Sequence, residues 1–337
     1  MCRAALLSLI HAGHQAVALV EPTLAQDDQL RGYGQHELEL YLSFPCEQPH
    51  MRLRDAYAAC DRTIVIAPES DGILAATLQS FCDQRLATCN CVGEFLQQAT
   101  DKWLCARQLQ ASHIPTPPTQ KLSEAPPEWL ADIDRQRSTS GGEPLLWAIK
   151  SRDGAGCDGL RRLTAAEVQF LRTQGSPPAE LERWVIQPWC PGTAYSRAAV
   201  IDRDGQATWL PVTAQHLELS ERVRYSGGQV LPRMAEQLPQ LDLLLQRAIQ
   251  ALGPSPLGWV GVDFVVDHSR PEQPIWIIEI NPRLTTSFVG LAAAGAPDLA
   301  AWIVAAAGGQ FSARSTTWSP VAFSANGTTD PHVNGLD

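Results

Sequence analysis

Ile277-Ile278-Glu279-Ile280-Asn281-Pro282-Arg283 is a β-branched run interrupted at every second position by a polar residue. Period-2 alternation puts Glu279 and Asn281 on one face of a strand. Upstream, Gly261-Val262-Asp263-Phe264-Val265 sets an acidic residue inside another strand-like run. If the two runs pair as a hairpin through 267–274, Asp263 approaches Glu279. Two carboxylates and an amide oxygen converging in apolar surroundings are costly without a cation. Mg²⁺, or Mn²⁺ in its place, is the hard ion that suits them, completing its shell with phosphate oxygens and water. The competing reading is a solvated strand face with Asp263 paired to an arginine, which needs fewer oxygen ligands than are present and gives Arg283 no task.

Working outward, Arg283 stands two residues beyond a candidate metal ligand, where a guanidinium neutralises a phosphoryl group in transfer. The hydroxyl-rich stretch Thr285-Thr286-Ser287 follows. It suits gripping a substrate carboxylate or acyl phosphate, and it equally suits capping the next helix. A third feature is Lys150-Ser-Arg-Asp-Gly154-Ala-Gly156-Cys-Asp-Gly159. It formally matches G-x-G-x-x-G, but Leu160 to Leu163 reads as extended, whereas a dinucleotide fingerprint needs a helix to begin at the glycines. A Rossmann oxidoreductase is therefore disfavoured. The loop reads as a hairpin whose backbone N–H groups fold over phosphates with Lys150 at its base, or as an ordinary glycine-rich surface hairpin.

Composition sets limits. The 337 residues carry 26 Lys and Arg against 36 Asp and Glu, a net charge of −10, and the densest basic cluster is the doublet Arg161-Arg162, which disfavours nucleic acid as a partner. Hydrophobic residues at 45% exclude wholesale disorder, and the length predicts about two domains. Nine cysteines, an odd number without zinc or redox spacing, read as reduced thiols of a cytoplasmic protein. The first twenty residues faintly resemble a secretory leader, but His11 and His14 interrupt them, and Ala5, Leu6, Leu9 and Ile10 recur at helical spacing. Leu291 to Val304 is broken by Gly295, Pro297 and Asp298, so no membrane span is expected.

The pattern predicts helices over 1–14, 54–60 and 73–81 and strands over 16–20 and 63–67, an α/β unit covering 1–99. Thr100 or Asp101 caps a helix that ends before Ile114-Pro115. Residues 123–143 read as a surface excursion. Strands are expected at 145–150 and 184–187, a hairpin at 195–212, a helix at 238–252, and strands at 259–266 and 275–280. Thr164-Ala-Ala-Glu167 forms a capping box. Tyr225 with Gly227 and Gly228 reads either as a pocket wall or as a tight turn. The tail, 311–337, is expected to be flexible.

Taken in order, Lys102 on a helix before Ile-Pro-Thr-Pro, Lys150 before a glycine loop, Val185-Ile-Gln187-Pro-Trp189-Cys190-Pro-Gly192, Asp263, and Glu279-Ile-Asn281-Pro-Arg283 resemble the ATP-grasp superfamily. The resemblance spans roughly 60–291. It implies an N-terminal α/β pre-ATP-grasp domain (1–99), then two α+β lobes clasping ATP: a central lobe (100–186) with the glycine loop and a C-terminal lobe (187–310) with the metal site. Lys102, Lys150, Gly154 and Gly156 would contact the nucleotide. Gln187, Trp189 and Cys190 would line the adenine pocket, the backbone of the last two bonding the adenine edge. Asp263, Glu279 and Asn281 would hold Mg²⁺, and Arg283 with Lys150 would serve phosphoryl transfer.

Within the superfamily, Ile66-Ala-Pro-Glu69, Gln215 and the stretch from Asn281 to Gly290 are most similar to the tyramine-glutamate ligase group of methanofuran biosynthesis. This implies a carboxylate-amine ligase acting on small molecules through an acyl phosphate, with Glu69, Gln215, Thr285, Thr286 and Ser287 on the substrate side. His216, Glu218 and Glu69 are positional candidates for a base. A ligase for another amino acid or peptide, and a non-catalytic nucleotide-binding regulator, are the alternatives, and a homodimer is left open. Two departures stand out. The family's usual first strand and glycine turn have no counterpart before Met1, and Ala194 stands where many members have a ribose-binding glutamate.

Overall fold

The computed structural model describes residues 1–42, 57, 60–138, 145–173, 178–270, 272, 274–312 and 315–330. The largest element is an antiparallel seven-stranded sheet built from β7 (Thr193–Ile201), β8 (Ala207–Glu218), β9 (Arg224–Leu231), β10 (Gly258–Val266), β11 (Ile275–Asn281), β12 (Ala322–Ser324) and β13 (Thr329–Asp330), ordered β11-β10-β7-β8-β9-β12-β13. The β7–β8 turn forms because Asp202 Oδ1 accepts from Asp204 N and Gln206 N at 3.0 and 2.9 Å.

Strand alternation gives this sheet two apolar faces, each packed by helices. On one lie α3 (Gly93–Thr100), α4 (Lys102–Ala111) and α7 (Leu241–Ala251), joined through Phe95, Leu109, Leu245 and Phe264. The other meets α8 (Ser287–Ala294) and α9 (Leu299–Gly308) through Trp259, Phe288, Leu291 and Ile303. These two helices bend by 102° at their junction, and among the described residues no single helix is long and apolar enough to cross a membrane.

A smaller sheet, ordered β3-β6-β4-β5, comprises β3 (Gln120–Lys121), β4 (Leu146–Ser151), β5 (Arg161–Thr164) and β6 (Trp184–Pro188). The helices α5 (Pro127–Ser138) and α6 (Ala165–Thr173) accompany it, its core centring on Trp147, Ile149, Leu163 and Ile186. The capping box forms as expected: Thr164 N donates to Glu167 Oε2 at 2.7 Å, and Glu167 N donates to Thr164 Oγ1 at 3.3 Å. At the N-terminus, α1 (Cys2–His11) precedes the parallel pair β1 (Ala16–Val20) and β2 (Leu38–Leu42). The segment after Thr63 leads into α2 (Ile73–Asp83).

Several expectations change. The helix expected to open the central lobe, α4, is capped by Asp101 (to Trp103 N, 2.9 Å), but it buries Cys105 and Leu109 in the core of the seven-stranded sheet. The helix thus packs on the large sheet although it leads into the smaller one. Residues 123–138 are no bare excursion, since α5 runs through them and Ala125 and Leu130 are buried, while 139–143 lie outside the described residues. Residues 63–67 form only a parallel bridge, Thr63 to Thr88, because the Asn90 amide takes the place of a neighbouring strand: Val65 N donates to its Oδ1 (2.8 Å) and its Nδ2 donates to Val65 O (3.0 Å). Of the two readings of Tyr225, Gly227 and Gly228, the pocket wall holds for Tyr225, which lines the cleft, and the three lie in β9 without a tight turn. The tail is not flexible over 315–330, where β12 pairs with β9 and buries Val321 and Phe323. The helix expected at 54–60 lies mostly outside the described residues.

Candidate active site

The cleft floor follows from strand register. Asp263 on β10 pairs with Glu279 on β11, and Gly261 pairs with Asn281, so the expected hairpin forms and the polar triplet shares one face. A bulge after Asp263 locally shifts the register, turning the strand where the carboxylate sits. Asn281 Nδ2 donates to Asp263 Oδ2 at 3.1 Å, and Gln215 Nε2 donates to Asp263 Oδ1 at 3.0 Å. Ser196, opposite Asp263 on β7, adds a hydrogen bond.

Glu279 faces cations. Its Oε2 lies 3.5 Å from Lys150 Nζ and 3.7 Å from Lys102 Nζ. The environments push the two carboxyls apart. Burial raises Asp263 above the usual carboxylate range, and neighbouring Glu279 adds to the rise. Burial would raise Glu279 too, but Lys102, Lys150 and Arg283 outweigh it and hold that carboxyl below its ordinary value.

Among the described residues no group of three or more His, Cys, Asp or Glu side chains is placed to hold a metal ion. The donor set is instead two carboxylates and one amide, an all-oxygen partial shell. That chemistry fits Mg²⁺, which keeps waters and phosphate oxygens as ligands, and does not fit a fully caged metal.

The glycine-rich loop closes over this floor. Lys102 N–H donates to Arg152 O at 2.8 Å, and Lys102 Nζ donates to Gly154 O, so the loop and α4 are joined at their bases. Gly156 has φ +63°, a left-handed backbone that glycine adopts without strain. Cys157, next to it, is driven by burial and by Glu279 and Asp263 to a thiol pKa of about 12. Beyond the loop the lobes touch again: Arg162 N–H donates to Glu221 O (2.8 Å) and Val223 N–H to Leu160 O (3.0 Å).

The cleft between the lobes has a volume of about 380 Å³, within the range of ligand sites. Lys102, Lys150, Gly154, Gly156, Gln187, Trp189, Cys190, Gln215, Asp263, Glu279, Asn281, Arg283, Thr285, Thr286 and Ser287 all line it. Sequence reasoning missed the apolar wall, including Ala148, Leu217, Leu219 and Ile278. Strand alternation alone could have flagged such positions, but nothing in the sequence showed which strand face met the other lobe.

Several assignments change. The Trp189 N–H donates to Leu146 O at 2.7 Å, which takes that donor away from an adenine edge. Gln215, expected on the substrate side, has its amide committed to Asp263. Glu69 does not line the cleft. It is buried, and its Oε2 lies 2.6 Å from Arg283 Nε, an ion pair too poorly aligned to count as a hydrogen bond. His216 and Glu218 are exposed and also lie outside the lining, so none of the three candidate bases faces the cleft. Thr285 and Ser287 bond each other through their hydroxyls at 2.8 Å, and Thr286 caps α8 by position without a side-chain bond.

Comparison with known proteins matches this geometry. Residues 99–287 fit the family model described as an ATP-grasp domain. Tyramine–L-glutamate ligase of Methanocaldococcus fervens is 24% identical over 233 residues, covering 68% of this chain and 61% of that protein. Among solved structures, biotin carboxylase from Campylobacter jejuni superposes with a TM-score of 0.70 at 13% identity, covering 95% of this chain and 72% of that one. An L-amino acid ligase from Bacillus licheniformis gives 0.62 at 12% identity, covering 91% and 72%.

Proposed function

Since this chain belongs to the ATP-grasp family, we propose that it is an ATP-dependent carboxylate-amine ligase acting on small molecules. The observation that carries this reading is Glu279, set opposite Asp263 and within 3.7 Å of two lysine amines at the bottom of an interlobe cleft. In the proposed reaction a substrate carboxylate oxygen attacks the γ-phosphorus of ATP, ADP leaves, and an acyl phosphate forms. An amine then attacks that carbonyl, losing a proton as phosphate departs, and an amide results.

Little covalent work falls to the protein in such a transfer; placement and charge neutralisation dominate. Lys102 and Lys150 would meet the phosphates from the side of α4 and β4. Asp263, Glu279 and Asn281 would hold Mg²⁺, which when bound neutralises phosphate oxygens. Arg283 would face the transferred group. Thr285, Thr286 and Ser287 would hold the substrate carboxylate. Gln187, Cys190 and the carbonyl side of Trp189 would line the adenine, and the glycine loop with Gly154 and Gly156 would exclude water from the acyl phosphate.

The specific reading is a glutamyl ligase in methanofuran-type one-carbon cofactor biosynthesis, supported by the similarity to tyramine–L-glutamate ligase. The test is release of ADP and phosphate from MgATP and L-glutamate, with and without tyramine or tyrosine. Glutamate-dependent turnover that the amine accelerates is expected, and Glu279→Ala should lower it at least about 100-fold. Turnover with other amino-acid pairs only would redirect the substrate assignment. No turnover with any carboxylate-amine mixture would favour a nucleotide-binding regulator.

A further inference from the structure

Glu69 and Asp71 belong to one tight turn of the N-terminal unit, and that turn touches both jaws of the cleft. The backbone closes through Gly72 N–H to Glu69 O at 3.0 Å, and Asp71 is held at φ +54°, an uncommon conformation for a residue with a side chain. On one side, the buried Glu69 carboxylate sits 2.6 Å from Arg283 Nε, while Arg283 Nη1 donates to Leu284 O at 3.0 Å. On the other, Asp71 N–H donates to Asp153 Oδ2 at 2.8 Å, and Ser151 Oγ donates to Asp153 Oδ1 at 2.7 Å, at the root of the glycine-rich loop. Arg183 Nη2 meets Asp71 Oδ1 at 2.7 Å.

Glu69 does not line the cleft, so any effect on chemistry passes through the guanidinium it holds. An arginine long enough to swing by several ångströms is thereby fixed in direction by a partner that never meets substrate. The same few residues set where the loop begins. A shift of about 1 Å in either group is enough to cost roughly 100-fold in rate.

Resting on the reading that Arg283 faces the transferred phosphoryl group, we propose that the Glu69–Asp71 turn is a positioning element that sets Arg283 and the base of the glycine-rich loop together. A test independent of the unidentified substrates measures MgADP binding calorimetrically, alone and with fluoroaluminate as a mimic of the phosphoryl group in transfer. In the unaltered protein, fluoroaluminate should tighten MgADP binding. Glu69→Gln should leave MgADP affinity within about 3-fold but reduce the tightening by about 10- to 100-fold, with Glu69→Asp recovering part of it. Asp153→Ala should instead weaken MgADP itself by about 10-fold, through the freed loop.

Undiminished tightening in Glu69→Gln would overturn the proposal. So would a parallel loss of MgADP affinity and tightening in both Glu69 variants, which marks general structural damage. Should the unaltered protein fail to bind MgADP, the nucleotide reading itself falls. Binding without any tightening removes Arg283 from the phosphoryl group and the present proposal with it.

Discussion

At the scale of single residues, Asp263 is the most constrained group in the cleft. Burial and the adjacent Glu279 disfavour its charge, and Gln215, Asn281 and Ser196 compensate by hydrogen bonding. Gln215 therefore orients the carboxylate proposed to hold the metal, the arrangement in which a supporting partner matters nearly as much as the ligand it supports. Gln215→Ala should weaken Mg²⁺ or Mn²⁺ affinity by about 10- to 100-fold in the presence of ADP, measured by Mn²⁺ titration with electron paramagnetic detection. Unchanged metal affinity with altered substrate KM would return Gln215 to the substrate side. Glu279 faces two lysines, so its charge is retained while its neighbour's is resisted, and the proposed divalent ion would reconcile the two.

Among the elements, the connection from β6 to β7 tolerates little change. Gly192 has φ +125°, and a Cβ there would fall 2.2 Å from the Val266 carbonyl oxygen on β10. Positive-φ strain and backbone overlap add, so Gly192→Ala should destabilise the protein by about 3 kcal/mol. Equilibrium urea unfolding checks this, and a loss below about 1 kcal/mol would show that the connection yields. The hinge is bulky because Trp189 packs under Arg162, whose guanidinium carbon lies 5.5 Å from the ring centroid. Arg161 adds an ion pair to Glu221 at 2.6 Å, but that glutamate is largely exposed and the pair contributes little beyond the backbone bonds beside it.

Across the whole molecule, β12 ties the chain beyond α9 into the large sheet. Phe323 packs against Gly290 of α8 and Gly228 of β9, where any Cβ would collide with its ring. Phe323→Ala should therefore cost about 3 kcal/mol, read from thermal or urea unfolding; a change near zero would mean that β12 is dispensable. A Ser, Thr, Asn and Gly-rich composition hid this strand, because two buried residues, Val321 and Phe323, carry the packing and their partner strand β9 lies far earlier in the chain. Local patterning sufficed for the β10–β11 hairpin, the capping box at Thr164 and Lys150 at the base of the glycine loop, since alternation, caps and short connections are set by neighbours in sequence. The rest of the site was legible only through the ordered resemblance to the ATP-grasp superfamily, because Lys102 on α4, the loop glycines and Arg283 beyond β11 share no periodicity. Tertiary packing alone decided that α4 joins the C-terminal core, that Asn90 stands in for a strand beside Val65, that Gln215 supports Asp263, and that Glu69 holds Arg283. Each of these joins partners far apart in the chain, and the free energy that selects them is burial or charge pairing, which exists only once the chain has closed around it.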